Sequence, residues 1–345
     1  EGLEKMDFYV AIDIYINETT SQADVILPPL HQLEHSNYDL MWSTFSSRNV
    51  ATYSPQTLSA DPSGMEQWEI MLRLMGELFE TPWDALDDMM ADGMAAQVAE
   101  GLQAQHPNIT AEKVRICMGE KRGYERYLDT MLRAGPYGDK FGERPQLDQA
   151  QFNRKEGLSL AALKEAGGTI DMGPMQSQLP AMLRTKDKRL NLINSYIIDD
   201  IPRLENALNE GLVDTDKFLL IGRRQVRDMN SWLHNIHSYI KGKNRCTLMI
   251  HPNDAKQLNI DSESKVRVKS RIGEVVADVE ITDSMMPGVV SLPHGWGHRY
   301  NDSRQTLANG KHVGASCNDL VDDEILDIPS GTSVVNGVQV QLSAA

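Results

Sequence analysis

The chain has 345 residues, 41% hydrophobic and 24% charged, which suits a globular protein of two domains, or one large domain with an appendage. Its net charge of −15 argues against a nonspecific nucleic-acid binder, and no apolar run reaches the length of about 18 residues that a membrane span requires. Cys117, Cys246 and Cys317 lie far apart with no C-x-x-C pair, which argues against structural zinc, an iron–sulfur cluster held within this chain, or a disulfide framework.

The sequence opens EGLEKMDFYVAID, without an initiator Met, a basic region or an apolar leader. A chain lacking its own start is silent on export, and the cytoplasm stands as the expected compartment. Phe8–Tyr15 (FYVAIDIY) reads as a buried parallel strand. Ala23–Leu27 reads as a second, stopped by Pro28 and Pro29. Two short strands are too few for a complete α/β sheet, so the sequence is expected to begin partway through a domain.

Residues 63–79 predict a helix with Ser63 and Glu66 as a capping box, worth about 1 kcal/mol. Met65, Trp68, Leu72, Met75 and Phe79 would form its apolar stripe. A second helix is expected from Thr81 as N-cap with Pro82 in its first turn, and further helices over about 110–118 and 121–134. From 135 to 215 the periodicity weakens into an irregular connector, with short helices near 158–166 and 201–211.

At Asp216 the texture changes to short strands: 217–222, 246–250, 265–270, 273–281 and 288–293. Arg271-Ile272-Gly273 is a tight turn, and HPNDAKQLNI is a short helix with Pro252 near its start and Asn259 in the left-handed closing position. Five short strands with one inserted helix predict a small closed barrel. Between Lys217 and Ile250, seven cations (Lys217, Arg223, Arg224, Arg227, Lys241, Lys243, Arg245) face one anion, Asp228. Such an island suggests either a specific anionic ligand or a charge-segregated surface.

Over nearly its whole length the sequence resembles the molybdenum/tungsten bis-pterin-guanine-dinucleotide oxidoreductases, the dimethyl-sulfoxide-reductase superfamily. VAIDIYINETTSQADVILPPLHQLE and WEIMLRLMGEL resemble the family's split α/β domain and its following helix. RTKDKRLNL resembles the stretch before its terminal domain, although Lys186-Asp187 stand where the family has Ser-Gly. The most specific match is the ordered set LLIGRRQVRDMNSWLHN, HPNDAKQLNIDSESKVRVKSRIGEVVADVEITDSMMPGVVSLPHGWGH and GASCNDLVDDEILDIPSGTSVVNGVQV.

The resemblance implies three regions: 1–134, a partial Rossmann-like α/β domain with helices; 135–215, the connector; and 216–345, a six-stranded double-psi β-barrel of the aspartate-decarboxylase-like type that binds the pterin dinucleotide. It also implies bis-molybdopterin guanine dinucleotide carrying Mo or W as cofactor, with formate-dehydrogenase-like relatives. A [4Fe–4S] cluster and the metal-ligating residue would belong to upstream domains, so no catalytic residue or metal ligand is assigned here. Expected partners are the cofactor, those upstream domains and an electron-transfer subunit. The alternative from another class is a non-catalytic double-psi barrel serving as a protein-binding or scaffold module.

Three loops carry the expected site. Gly222-Arg223-Arg224 follows a strand directly; glycine admits close backbone approach and arginine makes planar, charge-assisted contacts to phosphate, the alternative being a solvated basic turn. Asn230, Ser231, Trp232, His234 and Asn235 offer polar groups around an indole, implied by the resemblance to meet the pterin, or else a capped helix start. His294, Trp296, Gly297 and His298 form a loop for close cofactor approach; Gly295 and Gly297 disfavour the helix on which two His four apart could share a zinc ion. Asn318 presents a donor and an acceptor to a purine or pterin edge, with an Asx turn as alternative, and Asp319 either pairs with base amino groups or caps the next turn.

Overall fold

The computed structural model describes residues 2–120, 122–144, 146–147, 155–211, 216–298 and 303–345. The chain forms two compact units. One comprises Met6–Ile14 and Asp24–Met182; the other holds Tyr15–Ala23 and Leu183–Ala345 with the first few residues.

In the first unit, β1 (Val10–Ala11) pairs parallel with β2 (Val25–Ile26). The expected strands at 8–15 and 23–27 are thus parallel but only two residues long each. They are not buried as predicted, because Phe8 is 62% exposed and Val25 also faces solvent. An antiparallel sheet follows a different part of the sequence: β3 (Asn37–Tyr38), β4 (Arg48–Ser54) and, much later, β5 (Thr169–Pro174). Ala51 opposite Ile170 seeds a core with Tyr53, Leu132, Leu158, Leu163 and Met172.

Between β4 and β5 run α1 (Gln67–Leu78), α2 (Trp83–Leu102), α3 (Ala111–Met118), α4 (Tyr124–Ala134) and α5 (Leu160–Glu165). The predicted capping box does not form: Asp61 Oδ1 takes both the amide N–H and the hydroxyl of Ser63, and α1 starts four residues later. The predicted stripe is also displaced. Leu72 is buried as expected, together with Ile70, whereas Met75 and Phe79 are exposed. Thr81 is not the N-cap of α2, since its hydroxyl donates back to Phe79 O and Pro82 takes the cap position. Thr110 and Ser159 do cap α3 and α5, accepting from Lys113 N and Ala162 N. The helices pack around Ala91, Ala95, Ile109, Val114 and Met118. Beside that core, Arg126 and Asp87 form a buried ion pair at 2.7 Å. The segment AGGTIDMGP, read as irregular, contains β5; its pairing partner lies 120 residues away and no local periodicity announces it.

The second unit adds α6 (Ser195–Ile198) and α7 (Ile201–Glu210), then the barrel. Its strands are β6 (Phe218–Arg223), β7 (Thr247–Ile250), β8 (Lys265–Lys269), β9 (Glu274–Ile281), β10 (Val289–Pro293) and, after the short pair β11 (Leu326–Asp327) and β12 (Thr332–Ser333), β13 (Val338–Ala344). They close in the order β10-β6-β13-β8-β9-β7. The six-stranded closed barrel implied by the resemblance is therefore present; five of its strands are expected from the residues themselves, and β13 is the sixth.

Alternation explains it. Val266 and Val268, Val275, Ala277 and Val279, and Val340 and Leu342 point inward on a two-residue period and meet Leu220, Leu248, Ile250, Val290 and Leu292 in one core. Between strands lie α8 (His237–Ile240), α9 (Pro252–Gln257) and α10 (Thr306–Gly310). Asn259 closes α9 with φ +54°, as read from the sequence. Cys246 is buried, Cys117 exposed and Cys317 between, all as free thiols.

Candidate functional site

β6 and β10 are parallel neighbours, so their C-terminal ends deliver two of the expected loops to one rim of the barrel. Two positive-φ glycines let these loops close on one another. A Cβ at Gly295 (φ +82°) would lie 2.1 Å from Asn230 O, and one at Gly297 (φ +99°) only 2.6 Å from Ser316 N. Only glycine fits both the dihedral and the space. The structure thus brings together all three predicted stretches, around 222–235, 294–298 and 316–319.

The side chains divide by depth. On the outside, Arg224 Nη1 donates to Asn230 Oδ1 at 2.6 Å, and His294 Nε2 meets the same oxygen at 3.0 Å. With that oxygen engaged, the Asn230 amide can present its N–H groups outward. Ser231 is half-buried, while Trp232 and Asn318 are exposed. Gly222 donates its N–H to Asn336 Oδ1 at 2.8 Å. Asp319 sits in the 3-10 turn Cys317–Leu320, where its amide N–H reaches Ser316 O.

Other predicted residues are turned inward. Arg223 clamps barrel strands, its guanidinium donating to Ser291 O and Thr247 O at 2.6 Å each. Burial lowers its pKa, and its Nε has no partner. Asn235 Oδ1 accepts from Leu307 N and Ala308 N, holding the start of α10. Trp296 is buried, with its indole N–H on Asp228 Oδ2 at 2.9 Å and its ring 4.0 Å from that of His234. His234 is fully buried; its Nδ1 lies 2.9 Å from His298 Nε2 and its Nε2 faces Asp228 Oδ1 at 3.3 Å, an ion-pair distance off the line of an ideal hydrogen bond. Burial, opposed by Asp228, pushes His234 down to about 4. His298 Nδ1 meets Glu18 Oε1 at 3.3 Å.

Sequence reasoning did not assign Asp228, Arg245 or Glu18 to the site. Arg245 donates to Asp228 Oδ1 at 3.1 Å, so one cation of the basic island is an internal counter-charge. The signal was present, because Asp228 is the lone anion of that island, and a lone anion among cations is a natural hub. Glu18 lies 280 residues from His298, and nothing local marks it. His294 and His298 face different partners, and among the described residues no group of three His, Cys, Asp or Glu could hold a metal ion.

The rim therefore offers an arginine, amide groups, an exposed indole and glycine turns on a small closed barrel. Residues 218–338 match the family model described as the molydopterin dinucleotide binding domain. The chain is 21% identical to a tetrathionate reductase subunit of Salmonella typhimurium, over 98% of this chain and 36% of that protein. It is 23% identical to the alpha subunit of the F420-dependent formate dehydrogenase 2 of Methanococcus maripaludis, over 90% and 37%. Over 40% of this chain and 17% of the relative, it is 30% identical to the molybdopterin-containing subunit of the arsenate respiratory reductase of Chrysiogenes arsenatis. Among solved structures, acetylene hydratase from Pelobacter acetylenicus shares the fold, with a TM-score of 0.60 and 14% identity, covering 100% of this chain and 41% of that one.

The chain spans a little over a third of the length of the first two curated relatives. Residues 218–338 thus carry the match to a molydopterin dinucleotide binding domain, and the chain as a whole is similar to the corresponding part of these reductase and dehydrogenase subunits, as the resemblance implied.

Proposed function

We propose that the barrel rim holds a molybdopterin guanine dinucleotide, in pairs and with molybdenum or tungsten, for redox chemistry on a small substrate. The supporting observation is the coincidence of the family match over 218–338 with the cluster Arg224–Asn230–His294 beside two turns that only glycine can make. The residues fit such a group. Arg224 would take phosphate oxygens through charge-assisted bonds, each worth about 1.5–3 kcal/mol. Asn230, Ser231, Asn318 and Asp319 would read polar ring edges, and Trp232 would offer a ring face. Arg223, Asn235, His234, Trp296 and His298 would support those loops from beneath, not touch the ligand through groups already engaged. When bound, the cofactor supplies the metal's change of oxidation state; the chain binds and orients it.

In this reading 216–345 is the binding domain, a barrel of double-psi type, 135–215 is the connector and 1–134 is the partial Rossmann-like region. An iron–sulfur cluster, the metal ligand and an electron-transfer partner belong to other parts of the enzyme. The named relatives act on different small molecules, so the substrate is left at that class. A scaffold module is disfavoured because the matching family is defined by a cofactor.

The test is cofactor retention. In a complete enzyme carrying this segment, Arg224→Ala and Asn318→Ala should each lower pterin content, read by fluorescence after oxidative release, and metal content, read by mass spectrometry. Wild-type occupancy in both variants would overturn the reading.

A further inference from the structure

The outer wall of the barrel carries a cavity of about 480 Å³ that no rim residue lines. Val340 and Leu342 point into the barrel core, so Gln339 and Gln341 of β13 alternate outward, where they line this cavity. Its other side is the arm 320–334. Leu320 roots that arm in the barrel core, and Arg271 ties it back through Asp322 and Glu324. The gap between arm and wall thus has two anchored sides, and its volume is that of an ordinary small-molecule site, about 300–1,000 Å³.

The lining selects a chemistry. Ile325, Val334 and Val338 make it aliphatic, while Lys217 and Lys269 flank β13, which runs between β6 and β8. Lys269 stands opposite Glu274 in the β8–β9 register, but Arg267 holds that carboxylate at 2.7 Å, and among the described residues Lys269 has no ion-pair partner. Arg271 spends its guanidinium on the arm. Three cations and one anion, Asp322, therefore line a cavity in a chain whose net charge is −15. A positive excess in so acidic a protein favours a negative ligand, and aliphatic walls favour one with an apolar body. A singly charged carboxylate costs less to strip of water than a doubly charged phosphate, because ion desolvation rises with the square of the charge.

We propose that this cavity binds a small aliphatic carboxylate, its chain between arm and wall against Ile325 and Val334 and its head on Lys269. Asn318 and Asp319 of the rim immediately precede the arm, so an occupied cavity stiffens that side of the rim. The site stands independently of the pterin dinucleotide; only this consequence rests on the function proposed above.

Calorimetric titration of the full chain with octanoate, below its micelle threshold, tests the site. Octanoate should bind, and each methylene added from butanoate upward should tighten binding about threefold to fourfold, as burial of a CH₂ group requires. Octanol has the same body without the charge and should bind roughly tenfold more weakly, the loss of one charge-assisted contact. Lys269→Glu, at an exposed position, should weaken octanoate by at least roughly that factor. No binding, affinity that ignores chain length, octanol as tight as octanoate, octyl phosphate tighter than octanoate, or an unaffected Lys269→Glu would each overturn the proposal. If the cavity behaves as expected while cofactor retention ignores Arg224 and Asn318, this site stands and the function proposed above falls.

Discussion

Trp296 donates its indole N–H to Asp228 at 2.9 Å, and this one bond ties the glycine-rich turn after β10 to the loop after β6. The same carboxylate neutralises Arg245 and faces His234, so three elements converge on a buried anion that no ligand is needed to explain.

Asp228→Ala should therefore be among the most damaging substitutions in the barrel unit. It leaves Arg245 without its counter-charge and the Trp296 N–H without an acceptor, which together cost about 3–5 kcal/mol. Denaturant unfolding followed by tryptophan fluorescence reads this directly. A loss under about 1 kcal/mol would mean that the hub contributes little.

The neighbouring arginines should behave in opposite ways. Arg223→Met strips donors from Ser291 O and Thr247 O inside the wall and should cost about 2–3 kcal/mol of stability. Arg224→Ala should stay within about 0.5 kcal/mol of wild type, since its side chain is exposed. Paired melting curves of the two variants make the comparison, and equal shifts would contradict the assignment.

Two glycines make a second matched pair. Gly297→Ala places a Cβ 2.6 Å from Ser316 N at φ +99° and should destabilise the barrel by more than about 2 kcal/mol. Gly93→Ala, inside α2 with open space around the new methyl and ordinary helical φ, should instead stabilise by about 0.5–1 kcal/mol. Thermal unfolding of both variants against wild type would check the signs.

In the first unit, Glu125 supplies a pH signature. Burial alone would raise its pKa, but Lys164, Tyr53 and Ser36 outweigh it and hold the carboxyl at about 2, below its ordinary value of 4.5. A depressed folded pKa contributes stability that is present above the unfolded value and lost as pH falls through the folded one. The loss should therefore run from about pH 5 down to 2 and, after discounting for partial solvent screening, amount to about 1–2 kcal/mol. Glu125→Gln should flatten that part of the acid-unfolding profile; a variant as acid-sensitive as wild type would refute the assignment.

The barrel was legible because its strands alternate on a two-residue period and its turns use residues with specific dihedrals, as Asn259 does. The β4–β5 pairing was not, because Ala51 and Ile170 meet only through the tertiary fold. The α1 cap failed for a local reason: Asp61 competes for Ser63 and wins with two hydrogen bonds. At the rim, residue types identified the right loops but not the direction each side chain faces. Arg223 and Arg224 are adjacent in a strand exit, so they point to opposite sides, and one is structural while the other is free to meet solvent. His234 and Trp296 looked like ligand contacts because aromatic and polar character suits both a pterin and a buried hub.

The closing strand has a consequence for handling the protein. β13 lies between β6 and β8, so it holds two neighbours that do not otherwise pair. A chain shortened at Gly337 would open the barrel and expose two bare strand edges, each a template for another chain. Such a truncation should yield aggregates in which molecules supply one another's missing strand, and a synthetic peptide spanning Val338–Ala344 should suppress them by filling the gap in trans.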